Sequence, residues 1–491
     1  MKRRDFLLTA ACTAAAVYGF EKNALGKPVM DYDPDGKLES TGLRIRDVLE
    51  ILKKGEKNNT APVIREEILE NPTAVFIVYA GINNEKDENG KWKHCNDQFE
   101  RLGNRVGELV FRKGTVKGGR TILHTNLVGG ISGSNPTFIN GNIVHPYFTV
   151  GMADILHGLG NTNTATTTRG ALYHPQIVES GLGDLFNNHN LPLIEAHVAH
   201  FEDYDKSELM WHKNPEGVIA RRFPTYKPLF QKGTTLINIA HAHTHPVGLT
   251  TLTIKNHMGM MPRGYGHTCD AWVSLDITRK AFMDDFNRDY RIPVENSYVK
   301  HAEMGYKYWD PGDFYKSYKS QGGYDAFMKV YRVYEKSEGD ERKKAFDQLH
   351  TIANPLMFWV EQWSQRICDS LQALQEPYLN MVEGVFSAEY GGSVGILQSD
   401  FLTIGRSVVA VDAITSYIMG HDPRELPYLR IAKERGLGEN DIEKIPIFIL
   451  SEEGIEKVTD YRTLKRTPIG IYTCDHGPES KKIRSLGPRF Y

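Results

Sequence analysis

The chain has little cysteine: five residues among 491, namely Cys12, Cys95, Cys269, Cys368 and Cys474. None forms a Cys-x-x-Cys, so this chain alone offers no clustered thiolates of the kind that hold an iron–sulfur cluster. It has no excess of either charge. There are 59 basic and 61 acidic residues, a net charge of -2, which gives no electrostatic footprint for nucleic acid or an anionic membrane. Nucleotide-loop chemistry is also missing: Gly129-Gly130-x-x-Gly133 lacks the Lys-Ser/Thr that a phosphate loop needs. No His-Glu-x-x-His occurs, which argues against a zincin. Internal repeats and low-complexity tracts are absent, and beyond the N-terminus no run is apolar enough to span a bilayer.

What the N-terminus does have is Arg3-Arg4-Asp5-Phe6-Leu7, then an Ala/Thr-rich apolar run to about Phe20 and small residues near Ala24-Leu25-Gly26. A charged region, a short apolar region and a small-residue cleavage site make an export signal. The paired arginines before Phe6-Leu7 fit the twin-arginine pattern. The sequence therefore predicts a signal over residues 1–26, export in folded form by the twin-arginine machinery, and a periplasmic or otherwise exported destination.

The remaining chain is 40% apolar and 24% charged over its full length, as in ordinary globular proteins. Residues 27–72 read as an N-terminal extension with a helix near Leu43–Lys54. From Thr73 onward, strands and helices alternate. Ala74–Tyr79, Thr121–Leu123, Leu191–Ala196 and Thr235–Ile239 are β-branched or apolar runs. Asp97–Phe111 and Phe148–Leu159 carry apolar residues at helical spacing. This alternation predicts an α/β fold with a mostly parallel sheet, flanking helices and a helical insertion. The α/β core is expected over 73–282 and 379–443. The insertion, rich in Lys, Tyr and Asp, falls between at 283–378, and a Pro/Gly-punctuated surface wrap covers 444–491.

Four stretches, in order, carry a resemblance. They are Gly119–Val128, Leu236–His245 continuing into Leu249–Gly259, Asn380–Gly391, and Gly405–Ala413 ending at Met419-Gly420. Together they resemble the domain-of-unknown-function 362 family over roughly residues 74–440. The resemblance implies an α/β fold. Because some members are linked to ferredoxin modules, it also implies redox chemistry, so oxidoreductase is the favoured enzyme subclass. This chain departs from the family pattern in three places. His124-Thr125-Asn126 replaces Lys-Pro-Asn, His243 stands where a lysine is common, and Glu383 stands where an aspartate is common. His245 matches the family's histidine, which marks it as the most important of its row.

The residues themselves point to the same region. His241, His243 and His245 alternate with Ala242 and Thr244, so on a strand they share one face, with Pro246 ending it. Same-face neighbours on a strand are about 7 Å apart, so two of the three imidazoles can bind one divalent metal. The third is left as an acid/base group or a substrate contact. His257 and His267 follow on an expected glycine-rich loop with Lys255, Asn256 and Arg263, and Cys269-Asp270 is close behind. Glu383 and Glu389 bracket a second glycine-containing stretch. Carboxylates there can serve as general bases or metal ligands. The candidate catalytic set is His245, His267, Glu383 and Glu389. The substrate-binding set is Lys255, Asn256, Asn126 and Arg263, and the metal set is His241, His243 and His245. Asp412, after an apolar run, is expected to cap a helix over Ala413–Met419.

Three uses of the histidines stand open at this point: a metal site, an anion site with Lys255 and Arg263, or a packed cluster. The function expected is an exported enzyme, metal-dependent in the first case, acting on a small polar or anionic molecule. A non-catalytic periplasmic ligand-binding or metal-handling protein is the alternative.

Overall fold

The computed structural model describes residues 42–43, 45–127, 138–139, 141–168, 180–195, 206–217, 222–245, 248–261, 355–389 and 395–470, with isolated positions between 329 and 348. The signal segment, His267, Arg263, Cys269, Cys474 and most of the span 283–378 lie outside the described residues.

Strand β1 (Gly42–Leu43) and helix α1 (Ile45–Gly55) come first, then β2 (Val63–Ile64), α2 (Glu66–Glu70) and β3 (Val75–Tyr79). Next are α3 (Asn96–Val110), β4 (Phe111–Arg112), β5 (Arg120–Thr125), α4 (Pro146–Gly158), β6 (Thr164–Thr168), α5 (Leu182–Asn188) and β7 (Leu193–Glu195). A hairpin of β8 (Leu209–Lys213) and β9 (Arg222–Tyr226) and the turn α6 (Lys227–Phe230) lead to the long β10 (Thr234–His245). Then follow β11 (Leu249–Thr251), the one-turn α7 (Thr253–Asn256), α8 (Pro355–Ala373), β12 (Leu379–Glu389), β13 (Gly395–Gly405), α9 (Val408–Ile418), α10 (Pro427–Glu434), β14 (Ile447–Ser451) and β15 (Gly454–Lys457).

Ten strands lie in the order β1-β7-β6-β5-β10-β12-β13-β3-β14-β15, and β11 folds back on β10 as an eleventh. Six neighbouring pairs are parallel, and β13 runs against both its neighbours. The fold is α/β with a mostly parallel sheet, as the alternation of patterns implied. Among the described residues no helix is long and apolar enough to cross a membrane.

Helices cover both faces because both faces of the central strands are apolar. On one side Ile237, Ile239, Met381 and Ile404 pack with Phe99, Leu102 and Val106 of α3 and with Phe148, Met152 and Leu156 of α4. Opposite them, Ala240, Ala242 and Val382 pack with Trp363 and Ile367 of α8, most of α9, and Leu429 and Ile431 of α10. Each fully buried Leu, Ile or Phe contributes about 1.5–3 kcal/mol by leaving water. The alternation along β10 thus sets the register: a slip of one residue would swap the two faces.

Two differences from the sequence reading concern the chain ends of the sheet. The stretch from Lys444, expected to wrap the surface, adds β14 and β15, with Ile447, Phe448 and Ile449 pairing parallel to Val75, Phe76 and Ile77. Its short Ile-Phe-Ile-Leu run was overshadowed by the prolines and glycines around it. β1, from the N-terminal extension, joins the opposite edge beside β7. Within the expected helical insertion, α8 is helical.

Candidate functional site

The chain leaves β5 toward β6 on one side and leaves β10 toward β12 on the other, so the strand order switches direction between β5 and β10. In an open α/β sheet, the carboxyl ends of the strands at such a point form a natural crevice. The carboxyl ends here carry Asn126, just past β5, and the histidine row of β10.

His241 and His243 do share one face. Their ring centroids are 5.8 Å apart, and both side chains are buried. His241 pairs in register with Glu383 on β12, but His243 pairs with Ala388. Four residues of β12, Gly384 to Ser387, are thus accommodated opposite the single Ala242. Glycine permits this bulge, since a Cβ on Gly384 would collide with the Phe401 ring. Glu383 itself stabilises it: Val385 N–H donates to Glu383 Oε1 over 2.7 Å. In the sequence Glu383 stands at the edge of a glycine-containing stretch. It lies within a long strand, where the bulge turns its carboxylate toward His241.

His241 Nε2 is 3.8 Å from Glu383 Oε2, with each side chain 2 % exposed. This is ion-pair distance, yet burial outweighs attraction and favours the neutral form of both. Loss of hydration lowers His241 to about 3, against which a hydrogen bond to the Phe386 backbone works only partly. It raises Glu383 to about 7, opposed by backbone N–H groups of Val385, His145 and Phe386. Near neutral pH, Glu383 is therefore balanced between holding and releasing a proton beside an uncharged imidazole. His145, which precedes α4, gives its N–H to Glu383 Oε2 at 3.3 Å while its ring stacks on Phe99 at 3.8 Å. Burial, with the Glu383 charge adding to it, also pushes the neighbouring Cys95 thiol up to about 12, so it stays protonated.

Several buried polar atoms here have no hydrogen-bond partner among the described residues: His241 Nδ1, His243 Nδ1, Asn126 Oδ1, Asn256 Oδ1 and Ser387 Oγ. Buried polar atoms are normally paired, so each unpaired one asks for a water, an ion or a ligand. Burial lowers His243 far below its ordinary value, with His241, Lys255 and His245 pushing the same way. Both imidazoles are thus neutral and able to donate a lone pair. Two imidazoles on one ion have centroids about 5–6 Å apart, as these do. No three ligand atoms of His241, His243, His245 and Glu383 fall within 4.8 Å of one another, so any ion here would take two imidazoles of the row.

His245 is half-buried at the strand's end, and its Nδ1 accepts the Gly248 N–H at 3.2 Å. His241, rather than His245, is the ring that meets Glu383. Glu389 ends β12 one residue past the partner of His243; its side chain, like all of His267 and Arg263, lies outside the described residues.

The expected glycine-rich loop after β10 begins as helix. α7 and a 3-10 turn over His257–Met260 bury Lys255, Asn256 and His257. Lys255 Nζ reaches Thr251 Oγ1 at 3.2 Å, and its stem runs beneath Gly248, where a Cβ would come within 3.0 Å of Lys255 Cδ. Asn256 Nδ2 donates to Asn238 Oδ1 at 2.7 Å and to the carbonyls of His124 and Ile239 at 3.2 Å, which fixes it across β5 and β10. His124 is structural. Its Nε2 donates to the Asn256 carbonyl at 3.0 Å, so its Nδ1 accepts from Thr167 Oγ1 at 2.6 Å. His257 bonds the Thr253 carbonyl through Nδ1 at 3.0 Å and is lowered by burial to about 4.

Asp412 was misread. It lies mid-helix in α9, whose cap is Ser407, because the apolar run before it is already helical. Its carboxylate caps a different helix. Asp412 Oδ1 accepts Thr253 N–H at 2.8 Å and the Thr253 hydroxyl, and Oδ2 accepts Ile254 N–H at 3.0 Å. That cap holds the turn delivering Lys255 and Asn256. Neither this role nor that of His145 has a local sequence signal, since each partner is over a hundred residues away.

A family model described as "Domain of unknown function (DUF362)" matches residues 123–417. The chain belongs to this family. The match runs from β5 to α9, so the DUF362 region includes the end of β5, and β10, β12, α7 and Asp412, and with them the histidine row, Glu383, His145, Lys255 and Asn256; Cys95 and Phe99 precede it. Comparison with curated proteins and with solved structures gave no match.

Proposed function

We propose that this DUF362 chain is an exported enzyme that performs acid–base chemistry on a small anionic molecule at the carboxyl edge of β5, β10 and β12. The observation that carries this reading is the buried His241–Glu383 pair at 3.8 Å, set among side-chain atoms that have no hydrogen-bond partner among the described residues. Two titrating groups whose environments push their pKa values apart are the ordinary mark of an acid–base site. Glu383 is the proton carrier, and the His145 and Val385 N–H groups steady its ionised form. Lys255 supplies fixed positive charge for a carboxylate or phosphate. Asn126 and Asn256 turn carbonyl oxygens to a substrate hydroxyl or amine. A divalent ion on His241 and His243 would polarise a substrate oxygen. The unpartnered Nδ1 atoms fit it, with the other nitrogen of His241 turned to a carboxylate, a usual support for a metal-bound imidazole. The oxidoreductase subclass rests on the ferredoxin-linked members of the family. The gathered groups here handle protons and lone pairs, which weighs toward proton transfer.

The test is an NMR time course on a panel of small hydroxy, keto, amino and phospho acids in D2O, with and without added Zn2+ or Mn2+. Wild type should consume or deuterate at least one class, and Glu383→Gln should bind it without turning it over. Binding by wild type with no turnover of any member would replace this reading by a ligand-binding protein. Export rests on Arg3-Arg4 and Phe6-Leu7. Replacing both arginines by lysine should trap the precursor in the cell, and undisturbed export would overturn the twin-arginine route.

A further inference from the structure

Away from Glu383, one other set of ligating side chains converges. Glu100 on α3, Asp154 on α4 and His189 just after α5 each bring one ligand atom within 4.8 Å of the others, and they are the only such group of three among the described residues. The frame behind them is rigid. α3 and α4 cross in backbone contact: a Cβ on Gly151 would collide with the Glu100 carbonyl oxygen, and one on Gly103 with the Phe148 carbonyl oxygen. Asp154 lies about one helical turn beyond Gly151. Glu100 and Asp154 are therefore brought face to face by main-chain packing, not by the wandering of long side chains. Two carboxylates held this way repel unless positive charge sits between them. His189 Nδ1 meets Asp154 Oδ2 at 2.8 Å, which answers one carboxylate from one side. A second observation points to a ligand. His157, on the next turn of α4, has its Nε2 shielded from solvent with no hydrogen-bond partner among the described residues. It lies close enough to Asp154 and His189 to interact electrostatically with both.

We propose that Glu100, Asp154 and His189 hold a divalent transition-metal ion of the Zn2+ class, with water in the fourth position and His157 beside the set. One imidazole and two carboxylates, with water as a fourth donor, suit a borderline ion at four-coordination. A hard ion such as Ca2+ wants six to eight oxygens, which this set does not offer. The ion would fasten α5 to the α3–α4 pair. The site stands apart from the Glu383 crevice and does not depend on the function proposed there.

The experiment is calorimetric titration of the full, EDTA-treated chain with ZnCl2, paired with Co2+ absorption spectra. Four proteins are compared: wild type, His189→Ala, Asp154→Asn, and a double His241→Ala/His243→Ala variant. The expected result is a Zn2+ site weakened at least about tenfold in His189→Ala and Asp154→Asn, with their Co2+ band lost, and retained in the double variant. Equal Zn2+ stoichiometry and affinity in wild type, His189→Ala and Asp154→Asn overturns the proposal. So does loss of all Zn2+ binding in the double variant. If His189→Ala fails to fold, Glu100→Gln gives the same reading: tenfold weaker binding supports the site, unchanged binding removes it.

Discussion

Glu383 and Asp412 sit on opposite faces of the same sheet, both fully buried, and burial raises each to about 7. By burial and charge alone they are indistinguishable. Their partners differ. Asp412 is surrounded by donors from one short turn, the Thr253 N–H and hydroxyl and the Ile254 N–H, and has nothing left to do. Glu383 also accepts N–H groups, but it faces an imidazole whose second nitrogen is unpartnered among the described residues. A perturbed carboxylate becomes a functional candidate when its surroundings are incomplete, not merely when it is buried.

The largest effect that could break this contrast is on turnover. Glu383→Gln should lower kcat for the substrate found in the NMR panel by at least about a hundredfold, the usual weight of a general acid or base. Asp412→Asn should lower it much less; equal losses would mean that both carboxylates act on substrate.

Stability should divide the two the other way. Asp412→Ala leaves three buried donors unsatisfied and should cost about 4 kcal/mol in urea unfolding at neutral pH. A loss under about 1 kcal/mol would show that water replaces the cap.

The pH dependence sharpens the contrast further. Glu383 has a folded pKa of about 7 against an ordinary 4.5, so the folded state holds a proton that the unfolded state has released. The wild type therefore loses stability as pH rises from about 4.5 to about 7, and Glu383→Gln is spared that loss. The stability of the variant relative to wild type should climb across this window by up to roughly 3 kcal/mol. A flat difference would mean that Glu383 is ionised throughout. His241, lowered to about 3, has the opposite sign and destabilises the fold as pH falls below 6.5, in both proteins alike.

The smallest expected effect belongs to the Asp412 side. Tyr428→Phe removes the hydroxyl that meets Thr250 Oγ1 at 2.6 Å and should cost about 1 kcal/mol without altering turnover. A change in turnover would show that the Tyr428–Thr250 contact helps position the Lys255 turn.

The two carboxylates also show how much of this was legible in the sequence. Strand and helix periodicity gave the α/β fold and the alternating histidines, because those signals are local. Glu383 stands out with them as a carboxylate beside a glycine-containing stretch. Its nearest imidazole does not, since choosing His241 over His245 depends on the bulge opposite Ala242, a property of two paired strands. Asp412 stands out as the polar residue after an apolar run, but that run, Val408–Val411, reads equally as strand or helix, which leads to the wrong helix. The Glu100–Asp154–His189 group was invisible: it exists only because glycines let α3 and α4 touch.

The Asp412 cap also has a consequence for the order in which the protein is made. The turn with Lys255 and Asn256 leaves the ribosome about 160 residues before its cap does, an interval of roughly 10–30 s at ordinary synthesis rates. During that time the turn has four residues and no carboxylate at its head, too short to hold itself. The binding side chains are thus set in place only when nearly the whole DUF362 region has been synthesised. A nascent chain halted before residue 412 would carry the histidine row without a fixed lysine and asparagine beside it.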